Sequence, residues 1–248
     1  MDAHPRLIIA LDFSSQEKVD QFLSQINPQE CALKVGLEMF TLLGPTFVTT
    51  LVNRGFKVFL DLKFYDIPNT VARACRVCAD LGVWMLNLHA SGGAAMMEAA
   101  LESLVKNQTT RPLLIAVTVL TSMDAATLNE TSISGTPLSH ANHLAQLAYQ
   151  TGLDGVVCSA LEVPTIKESC SKNFLTVTPG IRLLENDHHD QKRVQTPKQA
   201  IKLGSDFLVV GRPITGSSEP QKVIQTILTT FSETTASTLL NKARLTSP

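Results

Sequence analysis

The stretch Arg54-Gly55-Phe56-Lys57-Val58-Phe59-Leu60-Asp61-Leu62-Lys63-Phe64 reads as a helix stop followed at once by a strand. A glycine just past a helix end supplies the left-handed backbone such a turn requires. The same junction recurs at Gly82, Gly152 and Gly204, each a few residues ahead of an apolar run. The expected strands are Leu7–Phe13, Ala32–Leu37, Val58–Phe64, Trp84–His89, Leu113–Leu120, Gly155–Ser159, Phe174–Thr178 and Phe207–Val210. Most are apolar along their whole length, as suits parallel strands covered on both faces. Between them lie amphipathic stretches. Val19, Phe22, Leu23 and Ile26 keep helical spacing behind a capping box expected from Ser14 and Glu17. Thr196-Pro197 reads as a cap followed by proline at the first helical position.

Eight strands alternating with about eight helices predict an α/β fold, a single-domain (β/α)8 TIM barrel. That domain is expected to span residues 1–248, with the last dozen polar residues as a loose tail. An open doubly wound sheet is the alternative, weakened because no G-x-G-x-x-G follows the first strand.

Composition narrows the function. The 248 residues are 44% hydrophobic and 17% charged, which excludes a disordered, collagen-like or coiled-coil chain. Twenty-one Lys+Arg against 22 Asp+Glu leave a net charge of −1, so neither nucleic acid nor a membrane surface is an expected partner. Five cysteines are an odd, low count for a disulfide framework. Cys75 and Cys78 form a C-x-x-C with no second pair at zinc spacing, and read as packing on one helix face. Leu7–Leu11 is too short for a signal-peptide core, and no apolar run approaches the ~18 residues of a membrane span. The expectation is a soluble, cytoplasmic protein.

Charge interrupts the apolar strands in a pattern. Asp12 lies near the end of strand one, Lys34 in strand two, and Asp61 and Lys63 in strand three. His89 ends strand four, and Arg182 and Arg212 follow strands seven and eight. An unpaired buried charge costs several kcal/mol, so such residues need a purpose. Nearly all fall at carboxyl ends of strands, which in a barrel line one mouth where active sites are built. Self-neutralising ion pairs would explain single positions more readily than the set.

The densest segment is Asp61-Leu62-Lys63-Phe64-Tyr65-Asp66-Ile67-Pro68-Asn69-Thr70. A period of two puts Asp61 and Lys63 on one face and Leu62 on the other. Asp66 falls just past the strand, in a turn that Pro68 stiffens. Flanking anions favour the ammonium form of a lysine that is to deliver a proton. They also concentrate negative charge against a bound carboxylate, a repulsion relieved when it leaves as carbon dioxide.

This decapeptide resembles the signature of the orotidine 5′-phosphate decarboxylase family, in particular its compact bacterial members. The likeness continues in Leu7–Asp12, Leu33–Gly36, Val119–Ser122, Val177–Arg182 and Val210–Thr215, in that order. It implies a barrel enzyme, a carboxy-lyase that forms UMP from orotidine 5′-monophosphate without cofactor or metal. Lys63 would be the proton donor, flanked by Asp61 and by an Asp66 contributed across a homodimer interface together with its neighbours. Asp12 and Lys34 would hold ribose hydroxyls, and Thr121 and Ser122 the ribose and pyrimidine. Ile67, Pro68, Asn69, Thr70 and Pro179 would complete the substrate contacts. Arg182, Gln191, Gly211 and Arg212 would grip the 5′-phosphate. Guanidinium suits that task through bidentate donors. His89 reads equally as an active-site neighbour or a satisfied core histidine. His188-His189-Asp190 reads as part of a solvated loop over the phosphate rather than a metal site. Two rivals remain. One is a magnesium-dependent sugar-phosphate barrel, for which Glu38 would supply a ligand. The other is a non-catalytic nucleotide-binding barrel.

Overall fold

The computed structural model describes residues 5–105, 111–183 and 195–245, with side chains described as far as residue 233. Its first half runs β1 (Leu7–Ala10), α1 (Gln16–Leu23), β2 (Ala32–Gly36), α2 (Leu37–Asn53), β3 (Lys57–Phe64), α3 (Pro68–Asp80), β4 (Met85–His89) and α4 (Gly93–Val105). The second runs β5 (Leu113–Val117), α5 (Ala125–Glu130), α6 (Pro137–Gln150), β6 (Gly155–Val157), α7 (Val163–Ser169), β7 (Leu175–Thr178), α8 (Pro197–Lys202), β8 (Phe207–Val210), α9 (Arg212–Thr215) and α10 (Pro220–Leu245).

The strands pair in parallel in chain order, and β8 closes on β1. All eight expected strands form, several of them shorter at the carboxyl end. β1 stops at Ala10 and β5 at Val117, where the chain leaves the ladder to build the mouth. Gly55, Gly82, Gly152 and Gly204 take φ of 87°, 79°, 82° and 99°, as the helix-to-strand junctions require.

Burial on both faces explains the unbroken apolar runs. In β1, Leu7 and Ile9 pack outward against the helices, while Ile8 and Ala10 point into the barrel. The interior is filled by Ile8, Ala10, Ala32, Phe59, Met85, Ile115, Val177, Phe207 and Val209. The large Phe59 ring sits among small side chains such as Ala10 and Ala32, as layered packing demands. Cys75 and Cys78 are buried on α3, and burial pushes their thiols up to about 12 and about 11.

One expected cap moves by a residue. The N-cap of α1 is Ser15, in extended backbone, its hydroxyl accepting from the Lys18 N–H. Because α1 begins at Gln16, Glu17 falls one position short of where a capping box needs it. The Thr196 cap stands as expected, with Gln199 completing a reciprocal box.

Ion pairs near the amino ends of the strands tie the barrel together. Arg111 grips Asp154 through two guanidinium nitrogens at 2.6 and 2.9 Å, and Asp154 also accepts from the Leu114 N–H. Asp206 accepts from Lys167 Nζ at 2.6 Å and from both the backbone and hydroxyl of Thr176.

At β6 the barrel allows no side chain: a Cβ on Gly155 would overlap the backbone carbonyl of Leu175 on β7. Gly155→Ala is expected to destabilise by about 1–3 kcal/mol, the usual range for overpacking a tight core. Urea unfolding checks this; an unchanged midpoint would mean that β6 and β7 separate at little cost.

Candidate active site

The carboxyl ends of the strands open on a cavity of about 660 Å³. Ala10, Phe59, Val117, Val157 and Val209 give it an apolar floor, continuous with the barrel interior. Polar groups line the rest. Asp12, Lys34, Asp61, Lys63, Thr121, Ser122, Pro179, Arg182, Gly211 and Arg212 all reach it, from six different strand ends.

On one side the charges alternate. Lys34 Nζ lies 3.7 Å from Asp12 Oδ1 and 3.3 Å from Asp61 Oδ2. Lys63 Nζ donates to Asp61 Oδ1 at 2.7 Å. Register explains how Lys34 reaches Asp61. Gly36, not Lys34, is the β2 partner of Asp61, and a Cβ at Gly36 would stand 3.1 Å from Lys34 Nζ. The missing side chain leaves the ammonium room to rise along the strand to the carboxylate.

Asp61 is 7% exposed. Burial alone would raise its pKa. Lys34, Lys63 and the hydrogen bonds from Lys63 and Asn87 outweigh that and hold it below the usual carboxylate value.

Asp61 and Lys63 share a face as strand alternation predicts, yet the strand between them is not regular. The pairing of β3 with β4 slips between Leu60 and Phe64, so three residues oppose the single residue Asn87. Lys63 takes φ 51° in this bulge. Its N–H donates to Asn87 Oδ1 at 2.8 Å, and Asn87 Nδ2 donates to Asp61 Oδ1 at 2.7 Å. Sequence reading passed over Asn87 because it looked for charge. A buried amide inside Met85-Leu86-Asn87-Leu88-His89 was the available signal.

The arginines enter the cavity after β7 and β8. Arg182 is almost wholly buried, donates from one terminal nitrogen to the Ile181 carbonyl, and its buried Nε has no acceptor among the described residues. Arg212 is exposed at the start of α9, beside Gly211. A Cβ at Gly211 would approach Ala10 and Asp12 at 3.6 and 3.7 Å, taking cavity space rather than meeting a hard wall. Two cations and an open backbone after β7 and β8, in one cavity with the Asp–Lys network of β1 to β3, suit a ligand with an anion at one end.

Other expected site residues lie elsewhere. Asp66, Ile67, Pro68, Asn69 and Thr70 do not line this cavity; all five are exposed, and the Asp66 carboxylate accepts from its neighbour's N–H. Gln191 and His188-His189-Asp190 lie outside the described residues. His89 is half-buried beside the site, its ring 5.9 Å from that of Tyr65. Burial first and Lys63 second lower its pKa, with Asp61 opposing, so it is the neutral imidazole at pH 7. Glu38 lines the cavity, but no three His, Cys, Asp or Glu side chains among the described residues converge as a metal site.

A closed parallel barrel that gathers buried charges in a cavity at the carboxyl ends of its strands is a barrel enzyme. The defining pattern of the orotidine 5′-phosphate decarboxylase / HUMPS family matches residues 5–227, and the chain belongs to that family. It is 59% identical over 224 residues to an orotidine 5′-phosphate decarboxylase of Legionella pneumophila (strain Corby), covering 90% of this chain and 98% of that one. A Pectobacterium carotovorum protein of the same name is 55% identical over 221 residues, covering 89% and 90%. The crystal structure of orotidine 5′-phosphate decarboxylase from Lactobacillus acidophilus superposes with a TM-score of 0.82 at 38% identity, over 92% of this chain and 99% of that one. An uncharacterized conserved protein from Geobacillus kaustophilus gives 0.80 at 41% identity, over 91% and 99%.

Because the folded state lowers the Asp61 pKa, its stabilisation is present above the unfolded carboxylate value, near pH 4, and is lost as pH falls through the lower folded value. Asp61→Asn is expected to cost about 3 kcal/mol at pH 7, the low end for breaking a buried pair, since Lys63 remains 30% exposed. The difference from wild type should shrink as pH drops below about 4. Thermal unfolding of both proteins across that range checks it; a pH-independent difference would show that the ionised carboxylate is not the stabilising form.

Proposed function

We propose that the chain converts orotidine 5′-monophosphate to UMP and carbon dioxide, without a cofactor. The observation that carries this reading is the alternating Asp12–Lys34–Asp61–Lys63 network in one cavity with Arg182 and Arg212. The names of the relatives at 55–59% identity support it.

In this reading Arg182, Arg212 and the Gly211 backbone take the phosphate, with Gln191 joining them. Asp12 and Lys34 bind ribose hydroxyls; Thr121, Ser122 and Pro179 contact the rest of the nucleotide. The bond from the pyrimidine ring to the carboxylate breaks, its electron pair stays on the ring carbon, and Lys63 supplies the proton. Asp61 holds that ammonium in place throughout. Each unit charge near 4 Å from the substrate carboxylate interacts by about 4 kcal/mol at an effective dielectric near 20. Repulsion from the anions is thus a real but bounded contribution beside stabilisation of the developing carbanion by the fixed ammonium.

The reading includes a homodimer in which Asp66 serves the partner's site. The exposure of residues 65–70 supports it, Tyr65 being 64% and Ile67 67% exposed beside a cavity their own Asp66 does not line. Ile67, Pro68, Asn69 and Thr70 would then complete the neighbouring site. A cytoplasmic location and a single barrel domain belong to the same reading; among the described residues no helix is long and apolar enough to cross a membrane.

Lys63→Ala is expected to abolish turnover while circular dichroism is retained. The assay is loss of substrate absorbance by EDTA-treated protein. Near-wild-type turnover by this variant would sink the assignment, and wild-type activity lost with EDTA would favour the magnesium-dependent reading around Glu38.

Sharing of the site has its own test. Lys63→Ala and Asp66→Ala subunits, each nearly inactive, are mixed, partly denatured and refolded. A mixed dimer restores one site, which keeps its own Lys63 and borrows an intact Asp66. Random reassortment restores about a quarter of all sites, from the geometry of a two-fold interface. No recovery in mixed dimers confirmed by mass means that Asp66 serves its own subunit or none.

A further inference from the structure

Asn87 is 0% exposed, in the middle of β4, and is the single β4 residue opposite the three-residue bulge Asp61-Leu62-Lys63. A bulge leaves a backbone N–H outside the ladder. Here that N–H belongs to Lys63, whose φ of 51° lies in the left-handed region that side chains rarely adopt. The Asn87 amide takes the place of the missing ladder partner. Its oxygen accepts from the Lys63 N–H at 2.8 Å, and its nitrogen donates at 2.7 Å to Asp61 Oδ1, the oxygen that receives Lys63 Nζ. A backbone N–H can only donate and an ionised carboxylate can only accept, so these partners admit one orientation of the amide. One side chain thus fixes the backbone of Lys63 and the anion that holds its ammonium.

We infer that Asn87 is the positioning residue of the proton donor: it stabilises the bulge conformation of Lys63 and keeps Asp61 aligned on the ammonium. The inference rests on the proposed decarboxylation. No other common side chain of this size does both jobs. Leucine leaves a buried N–H and a buried carboxylate each one partner short. An ionised aspartate accepts from the N–H but sets a second anion against Asp61.

That last difference makes the test. In Asn87→Asp the introduced carboxyl, when protonated, offers an O–H and a carbonyl, the same donor and acceptor as the amide. Beside Asp61 its pKa is raised, because two carboxylates do not readily share a site. The charged and titratable groups around it are Asp61 and Lys63 on β3, Lys34 on β2 beyond Asp61, and His89 on its own strand. Its β5 partner is Ile115, which carries no charge.

Wild type and Asn87→Asp are assayed for kcat and KM from about pH 8 down to about pH 5, the window in which a raised carboxyl titrates. At pH 8 the variant is expected to lose about 10- to 100-fold in kcat, the range for one charge-assisted hydrogen bond, with KM within about threefold. As pH falls its kcat should recover toward wild type, while wild-type kcat stays level or declines. A merely structural role would not reverse with protonation, and a His89 effect would appear in wild type too. Asn87→Ala should show the loss without the recovery. Wild-type-like kcat for Asn87→Asp across the range overturns the inference, as does a loss that no pH relieves or one carried by KM. Absence of turnover in wild type itself would instead overturn the proposed reaction.

Discussion

The carboxylate of Asp61 is the constraint on which the site depends. One buried anion accepts from Lys63 and Asn87 on one oxygen and faces Lys34 on the other. Desolvating a carboxylate costs several kcal/mol, and a single cation near 4 Å returns only about 4 at an effective dielectric of 20. Two lysines and an amide donor tip the balance, which is why the group stays ionised in an apolar barrel. The converse also holds. Without that anion Lys34 would keep its 3.7 Å approach to the exposed Asp12, while Lys63 would lose its 2.7 Å carboxylate partner.

The barrel makes this arrangement compact because adjacent parallel strands present inward side chains in layers. Phe59 closes the layer below, and Asp61 stands one inward step above it on the same strand. Lys34 is level with Phe59 in register, not with Asp61. Its long stem climbs one layer past Gly36, so a glycine on β2 is as much a part of the network as the charges. Arg182 comes from the segment after β7 and Arg212 from the start of α9, just past β8. In the proposed reaction the proton donor would sit on a strand and the phosphate grip just past two other strand ends of the same closed sheet.

What could be read in the sequence was whatever has a local period or a composition cost. Eight apolar runs and four glycine junctions give the barrel, since burial on both faces and left-handed turns leave marks on single residues. Charges inside apolar runs give Lys34, Asp61 and Lys63, and a charge just past a strand end gives Arg182, because ion pairing explains the set less well than a shared site. The bulge left no such mark: Val58–Phe64 reads as a regular strand, and the slip against β4 exists only in the pairing of two strands. Asn87 went unread because an amide costs less to bury than a charge and so looks unremarkable. Gly36 was quoted as part of a motif, but its use depends on where the Lys34 ammonium lies. Ser15 rather than Ser14 caps α1 because a cap depends on the turn at which the helix starts. Asp66 reads in the sequence as a turn residue just past strand three; that it stands exposed outside its own cavity depends on where the folded turn projects.

The left-handed backbone of Lys63 fits this account. A non-glycine residue in that region costs about 1–2 kcal/mol, and a buried N–H without a partner would add about 1–3. The Asn87 amide removes the second cost, and the 2.7 Å bond from Lys63 to Asp61 offsets the first. A regular strand would avoid both, but its N–H would be tied into the ladder and its side chain would stand square to the sheet. Bulges re-aim a side chain at the edge of an active site. Here the re-aimed group is a cation whose carboxylate partner is pinned by the same amide that pins its backbone. Lys63 is therefore oriented by contacts of the protein itself, so in the proposed reaction attraction at the phosphate end would need only to place the substrate, not to arrange the lysine.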